Sequence, residues 1–163
     1  MCGAELKPLP EGVRRVATQL QAQGHPHLPR MLDDAARTAQ QAADALGIAV
    51  GQIAKSIIFR RVSDGAAVLV VTSGDRRVDE QKVTSLVGPV GRADAAFVKA
   101  RTGFSIGGVA PVAHAHASVT LIDRELFRFG QIWAAAGHPH AVFALSPDDL
   151  VRLTQAPVAD VVV

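Results

Sequence analysis

The stretch QIAKSIIFRRVSDGAAVLVVTS, residues 52–73, contains two runs rich in β-branched and apolar residues on either side of a short polar turn. Runs of this composition are typical of β-strands, and the SDG segment at residues 63–65 can join them as a hairpin. Both faces of the first run are largely apolar, which indicates a strand that is covered on both sides. The stretch therefore predicts a β-hairpin whose first strand is buried.

Helical patterns lie on both sides of this hairpin. Val13, Val16 and Leu20 follow the helical period, and Thr38 with Gln41 forms a capping box. A serine followed by proline and two acidic residues, as in SPDDLVRL, is typical of a helix start. The predicted helices cover residues 11–23, 38–47, 79–87 and 93–101, a brief one lies near 124–129, and a last one begins at Ser146 and Pro147.

Short apolar runs predict the remaining strands. Residues 132–137 and 141–145 form a second hairpin candidate, whereas the prolines in residues 25–32 allow at best an edge strand there. Further strands are expected at residues 104–106, at 119–122 and in the tail at 156–163. About six to eight strands with four to six short helices predict an α+β fold, a single domain with a mixed sheet flanked by short helices.

Composition narrows the classes of partner and compartment. The 163 residues are 48% hydrophobic and 20% charged, and no apolar run approaches the ~20 residues that cross a bilayer. The only cysteine, Cys2, permits no internal disulfide and is an improbable nucleophile, so a cytoplasmic location and no membrane are expected. The net charge of +2 permits a polyanionic partner. Three arginine doublets could contact phosphates or could simply be solvated, at residues 14–15, 60–61 and 76–77.

Lys55 interrupts the apolar face that it shares with Ile53, Ile57 and Phe59. Lysines are almost never fully buried without a partner, and a partly desolvated lysine has a lowered pKa. Such a lysine can hold a phosphate or hydroxyl or take part in acid–base chemistry. The alternative is that Lys55 lies at the frayed start of the strand and reaches water.

The segment TGFSIGGVAPVAH, residues 102–114, is unusually rich in glycine for a plain connection. Adjacent Gly107 and Gly108 suggest a loop whose backbone N–H groups approach a ligand closely and stabilise developing negative charge. The alternative is a tight structural turn. The segment is neither a dinucleotide fingerprint nor a phosphate-binding P-loop.

All six histidines occur in three His-x-His pairs, at residues 25 and 27, 114 and 116, and 138 and 140. On a strand, such a pair projects both rings to one side, which is a metal-ligand arrangement. Two of the pairs contain a proline, and no cysteine cluster or HExxH motif accompanies them. Surface or pocket-edge histidines are therefore the preferred interpretation, and no metal is expected.

Taken in order, five segments resemble the YbaK-like aminoacyl-tRNA deacylase family, which is related to the editing domain inserted in bacterial prolyl-tRNA synthetases. The resemblance covers a core of about residues 28–162. It is carried by TAQQAADALGIAVGQIAKSIIF, VLVVTSGDRRVDEQKV, RADAAFVKARTGFSIGGVAPVAH, VTLIDREL and SPDDLVRLTQAPVAD.

The resemblance implies a curved mixed sheet and a free-standing, trans-editing hydrolase that cleaves the ester of a mischarged aminoacyl-tRNA, with a small amino acid on tRNA(Pro) or similar as substrate. No cofactor is implied; aminoacyl-tRNA is the implied partner and a synthetase a further candidate. Lys55 matches the family lysine, Gly107 to Pro111 the G-x-x-x-P loop, and Asp123 an acidic residue. The implied site residues are Lys55, Gly107, Gly108 and Asp123 for catalysis, and Ser73, Gly74, Asp75, Val109, Pro111 and His114 for substrate binding.

Two other classes of function stay open at this point. A relative that has lost its activity would be a tRNA- or synthetase-binding module on the same fold. The histidine pairs would instead serve a metal-dependent hydrolase.

Overall fold

A computed structural model describes residues 9–33 and 36–163, so the expectation for Cys2 lies outside the described residues. These residues form five α-helices and eight strands, together with two 3₁₀ turns at Val50–Gln52 and Arg124–Arg128. The elements are α1 (Glu11–Ala22), β1 (Arg30–Met31), α2 (Ala39–Leu46), β2 (Ile53–Arg61), β3 (Ala67–Ser73), α3 (Glu80–Val87), β4 (Val90–Arg92), α4 (Ala95–Thr102), β5 (Val119–Asp123), β6 (Ile132–Ala135), β7 (Ala141–Leu145), α5 (Pro147–Thr154) and β8 (Val158–Ala159).

The eight strands form one mixed sheet, in the order β1-β7-β6-β2-β3-β5-β8, with β4 beside the far end of β2. The β2–β3 and β6–β7 pairs are antiparallel hairpins, whereas β3 pairs with β5, and β2 with β6, in parallel. This is the predicted α+β fold with a mixed sheet. The proline-rich residues before α2 supply only the two-residue edge strand β1, as predicted.

The predicted hairpin lies in the middle of the sheet, with β2 and β3 in register from Ala54↔Ser73 to Arg60↔Ala67. All of β3 is buried, and its side chains alternate between the two faces. Leu69 and Val71 pack into the main core with α1, and Val68 and Val70 pack into a smaller cluster beside α3. The expected burial of the first strand holds only for Ile53 and Ala54, because the rest of β2 is half-buried or exposed.

The reason for this partial exposure is an interruption in the pairing of β2 on the side away from β3. On that side, β2 pairs with β6 through Ile53 and Ala54 and with β4 through residues 59–61. Residues 55–58 have no strand partner there. We call this segment the open edge of β2.

Helix boundaries follow the predicted capping residues. Thr38 and Gln41 form a complete capping box before α2, and Gly47 ends that helix in a left-handed conformation. Ser146 accepts the Asp149 N–H at the start of α5, with Pro147 as the first helical residue. Within the described ranges, no helix is both long enough and apolar enough to span a bilayer.

One predicted strand is absent from the structure, and one observed strand was not predicted. Residues 104–106 form no strand; Phe104 is a fully buried anchor of the connection between α4 and β5. Strand β4 was not predicted, because its three residues contain a glycine and follow a proline, which removes the usual strand signal.

Replacing Ser146 with alanine tests the cap of α5. Ser146→Ala removes the oxygen that accepts the Asp149 N–H, and we expect it to lower the free energy of unfolding by about 1 kcal/mol. Ser85→Ala is the matched control, since Ser85 is exposed within α3 and bonds only the Gln81 carbonyl. Urea unfolding measures both variants, and equal stabilities would contradict this account of the cap.

Candidate active site

A cavity of about 360 Å³ lies at the open edge of β2. It contains side chains from both faces of that strand, Lys55 and Ile57 from one and Ser56 from the other, because it lies at the edge of the sheet and not on one face. The remaining described walls come from α2 and the residues before it, from β6 and β7 with their connection, and from the loop before β5. They are Ala36, Arg37, Thr38, Ala39, Ala42, Ile53, Ile106, Gly107, Val109, Trp133, Ala135, Pro139, Ala141 and Val142.

Lys55 is the basic group that β2 supplies to this cavity. Burial lowers the pKa of its ammonium from the usual lysine value, and the negative charge of Asp75 raises it partly back. Among the described residues, no carboxylate lies within salt-bridge distance of the ammonium. Lys55 is therefore held in partial desolvation, which favours an anionic or hydroxyl-bearing ligand.

A larger cleft of about 650 Å³ adjoins the cavity and shares Lys55 and Ile57 with it. Its other walls include Asp79 and Glu80 at the start of α3. These two carboxylates oppose a phosphate or an oxyanion in that cleft, although Arg77, a further lining residue, adds one positive charge there. The smaller cavity, in which the described part of the chain contributes no carboxylate, suits such a ligand better.

The loop of residues 107–111 meets the cavity at Gly107 and Val109. Gly107 has a φ of +91°, a conformation that favours glycine. Within the described residues, neither the Gly107 N–H nor the Val109 N–H has an acceptor in the chain. Gly107 and Val109 thus bring two amides without a described acceptor to the lining of the cavity.

Gly108 has a different role from the one expected. Its N–H donates to the Ser105 carbonyl at 3.0 Å, so this amide already closes a turn. A Cβ on Gly108 would lie 2.8 Å from the backbone of His138. The close approach that requires a glycine here is made by the connection between β6 and β7, and Gly108 is not among the residues that line the cavity.

His114 lies behind the loop and not in the cavity. Its Nε2 donates to the Ala110 carbonyl at 2.6 Å, because a carbonyl can only accept. Its Nδ1 lies 2.7 Å from the Ser118 hydroxyl, and burial lowers the pKa of the imidazole. The neutral ring thus ties the loop to the start of β5, and Pro111 faces the same outer side.

The segment at the end of β3 lies next to the cavity without lining it. The Ser73 hydroxyl donates to the Gly51 carbonyl, and a Cβ on Gly74 would lie 2.5 Å from the Val50 carbonyl oxygen. Asp75 pairs with Arg128, whose guanidinium hydrogen bonds lower the pKa of that carboxyl. Among these residues, Asp75 acts on the site through its charge on Lys55.

The expectation that Asp123 acts on the substrate is not supported by its surroundings. Asp123 is fully buried, and its two carboxylate oxygens accept the N–H groups of Glu125 and Val161 at 2.9 and 3.0 Å. It caps the 3₁₀ turn that follows β5 and fixes the C-terminal segment. Sequence cannot distinguish this cap from a catalytic acid, because both place a carboxylate directly after a strand.

Each histidine pair has its own set of contacts. The expected surface or pocket-edge position is wrong for His25, which is buried with its Nε2 2.8 Å from the Ala144 carbonyl. The rings of His138 and His140 meet edge to face at 5.3 Å. Within residues 9–33 and 36–163, no group of three or more His, Cys, Asp or Glu side chains is placed to hold a metal ion.

Two polar residues of the cavity were not found by sequence reasoning. The Ser56 hydroxyl and the Trp133 indole nitrogen are both buried without a hydrogen-bond partner in the described chain. Serine in a strand and tryptophan in an apolar run carry no sequence signal of a site. Their position at a gap between strands is what distinguishes them.

Comparison with known proteins gives a consistent result. The family model of the aminoacyl-tRNA editing domain matches residues 33–153. The Bacillus subtilis (strain 168) protein YwhH, described as uncharacterized, is 34% identical over 114 residues, which are 69% of this chain and 72% of that protein.

Solved structures with the same fold cover almost the whole chain. A crystal structure of "a putative trans-editing enzyme for prolyl tRNA synthetase" is 40% identical, with a TM-score of 0.90 over 96% of this chain and 99% of the other. The crystal structure of the hypothetical protein APE2540 is 32% identical, with a TM-score of 0.84 over 91% and 99% of the two chains.

Gly108→Ala tests the packing of the loop against the β6–β7 connection. Because the new methyl group meets the His138 backbone, we expect a loss of about 1–3 kcal/mol in the free energy of unfolding. Gly91→Ala in β4 is the control, since a Cβ there meets nothing within 4 Å. If Gly108→Ala unfolds at the same urea concentration as the parent protein, the close approach is not a constraint.

Proposed function

Because the chain belongs to the family of aminoacyl-tRNA editing domains, we propose that it is a free-standing, trans-editing deacylase that hydrolyses the ester bond of a mischarged aminoacyl-tRNA. The observation that carries this proposal is that Lys55, Gly107 and Val109 line one cavity, and that the N–H groups of the two loop residues have no acceptor in the described chain. A basic side chain and a pair of backbone donors are what the ester end of a tRNA requires.

An aminoacyl ester is already activated, so a water molecule can attack its carbonyl carbon without a protein nucleophile. In the proposed step, the water oxygen bonds to that carbon, the carbon–oxygen bond to the ribose breaks, and the ribose oxygen takes up the proton that the attacking water loses. The amides of Gly107 and Val109 donate to the carbonyl oxygen as it becomes negative. One such donor is typically worth about 2.7–4 kcal/mol in a transition state.

Lys55 is proposed to hold the terminal nucleotide through its 2′-hydroxyl or phosphate. Its ammonium is partly desolvated and has no close carboxylate within the described chain, so it gains a hydrogen-bonded partner when the substrate enters. This contact orients the ester against the loop. His114 supports the same geometry from behind, because it fixes the Ala110 carbonyl.

The size and composition of the cavity favour a small amino acid, and tRNA(Pro) or a similar tRNA is the proposed carrier. A volume of about 360 Å³ lies at the low end of ligand sites in proteins. Several walls are small or branched apolar residues, including Ala135, Ala141 and Val142. Such a pocket discriminates one methylene by only ~1–3 kcal/mol, so a short series of related side chains is expected as substrates.

A deacylation screen tests the proposed activity. Purified protein is incubated with a panel of charged tRNAs, beginning with alanyl- and cysteinyl-tRNA(Pro), and the remaining ester is measured against buffer alone. Faster loss from at least one mischarged tRNA is expected. If tRNA binds but no ester is lost faster than in buffer, the protein is a binding module of the same fold.

Lys55→Met tests the role of the lysine in that reaction. Loss of a hydrogen bond from a charged group, worth ~1.5–3 kcal/mol, should lower kcat/KM roughly 10- to 150-fold with little change in melting temperature. Lys99→Met is the matched control, because Lys99 is exposed on α4 and bonds only the Gly103 carbonyl. Equal activity of the two variants would exclude Lys55 from substrate binding.

The pH dependence of kcat/KM follows from the lowered pKa of Lys55. Its ammonium is lost as the pH rises through that pKa, so activity should decline at a lower pH than an ordinary lysine would allow. Asp75→Asn removes the charge that raises this pKa, and the decline should move to still lower pH. Asp64→Asn, which removes the partner of Arg61, is the control and should leave the profile unchanged. Rates are corrected for spontaneous ester hydrolysis.

A further inference from the structure

The backbone of Ser56 is directed into the cavity by the pairing of the hairpin. The Gly74 N–H donates to the Ile53 carbonyl, and the Arg61 N–H donates to the Ala66 carbonyl, at 2.7 and 2.8 Å. Because the bonds of an antiparallel pair alternate, odd-numbered residues of β2 bond β3, and even-numbered residues direct their N–H and C=O groups to the other edge. Ala54 meets β6 there and Arg60 meets β4, while Ser56 lies in the open edge between them.

The side chain of Ser56 is unsatisfied at the same place. Its hydroxyl oxygen is buried and has no hydrogen-bond partner among the described residues, and Ser56 is one of the residues that line the cavity. A buried hydroxyl without a partner costs free energy that a bound ligand can recover. Ser56 thus offers two acceptor oxygens, the carbonyl and the hydroxyl, at one point of the wall.

The loop before β5, which also lines the cavity, has N–H groups without an acceptor in the described chain. The unbonded amides belong to Gly107 and Val109, and no Asp or Glu lines the cavity among the described residues. A ligand complementary to these groups has an acceptor oxygen for the loop amides. Next to that oxygen it has a group with several N–H bonds for the Ser56 oxygens. In an aminoacyl ester, the carbonyl oxygen and the α-amino group have this relation, since one carbon separates the two groups.

We propose that the Ser56 carbonyl and hydroxyl bind the free α-amino group of the aminoacyl ester, so that the site accepts only substrates with an unmodified amino group. This inference rests on the proposed function and specifies its substrate class. An N-acyl substituent removes N–H bonds and the positive charge from the amino group, and it adds bulk next to the Ser56 carbonyl. Peptidyl-tRNA and N-formylated aminoacyl-tRNA are therefore excluded from hydrolysis.

The first test compares alanyl-tRNA(Pro) with its N-acetylated form. We expect kcat/KM to fall at least about tenfold on acetylation, the loss of one or two hydrogen bonds of a charged group. Ser56→Ala should lower kcat/KM about tenfold for the free amine and have little further effect on the acetylated substrate. Ser85→Ala is the matched control and should leave both rates unchanged. Equal hydrolysis of the two substrates by the parent protein would overturn the proposal.

The second test does not depend on hydrolysis. Calorimetry measures binding of 3′-alanylamino-3′-deoxyadenosine, whose amide bond resists cleavage, and of its N-acetyl derivative. Tighter binding of the free amine, weakened by Ser56→Ala in a variant with an unchanged melting temperature, supports the proposal. Equal affinities, or no measurable binding of the free amine, would overturn it. Binding of the free amine without turnover of any charged tRNA would leave this inference standing and would overturn only the proposed deacylase activity.

Discussion

Strand β2 pairs with β3 along nearly its whole length, but on its other side it pairs only near its two ends. The parallel pair with β6 stops at Ala54, and the antiparallel pair with β4 begins at Phe59. Unpaired strand edges are usually covered or shielded with charge because they attract other strands. Here the edge is enclosed by α2, the β6–β7 connection and the loop before β5, and the enclosed space is the cavity. The candidate site depends on this interruption of the sheet.

The loop opposite the open edge is held by contacts that do not reach the cavity. His114 fixes the Ala110 carbonyl, Gly108 packs against the His138 backbone, and the Gly108 N–H closes a turn with Ser105. Arg15 adds bonds to the Thr102 and Ala113 carbonyls and stacks on Phe104. These contacts hold the loop in place although the amides of Gly107 and Val109 have no acceptor in the described chain. In the proposed reaction, such fixed donors would be preorganised for the oxyanion.

Residues of one sequence motif can have different roles in the structure. Lys55 and Gly107 line the same cavity although 52 positions of sequence separate them. Gly108 and Asp123 belong to the same motifs, but their polar groups are occupied by backbone partners. A family pattern preserves a residue for its structural role as well as for its chemistry, and a single sequence does not separate the two. The hydrogen-bond partners of each residue in the structure do separate these two roles.

The sequence by itself determined the β2–β3 hairpin, the capping residues of α2 and α5, and the order of the lysine and the glycine loop along the chain. These features depend on contacts between residues close in sequence, so composition and spacing specify them. Only the tertiary structure decided that β2 has an open edge, that Ser56 and Trp133 lie at it, and that Asp123 is occupied. The pairing of Ile53 with Trp133 joins residues 80 positions apart, and Ala54, where the pairing stops, packs into the main core with α1. No local pattern encodes where such a long-range pair stops.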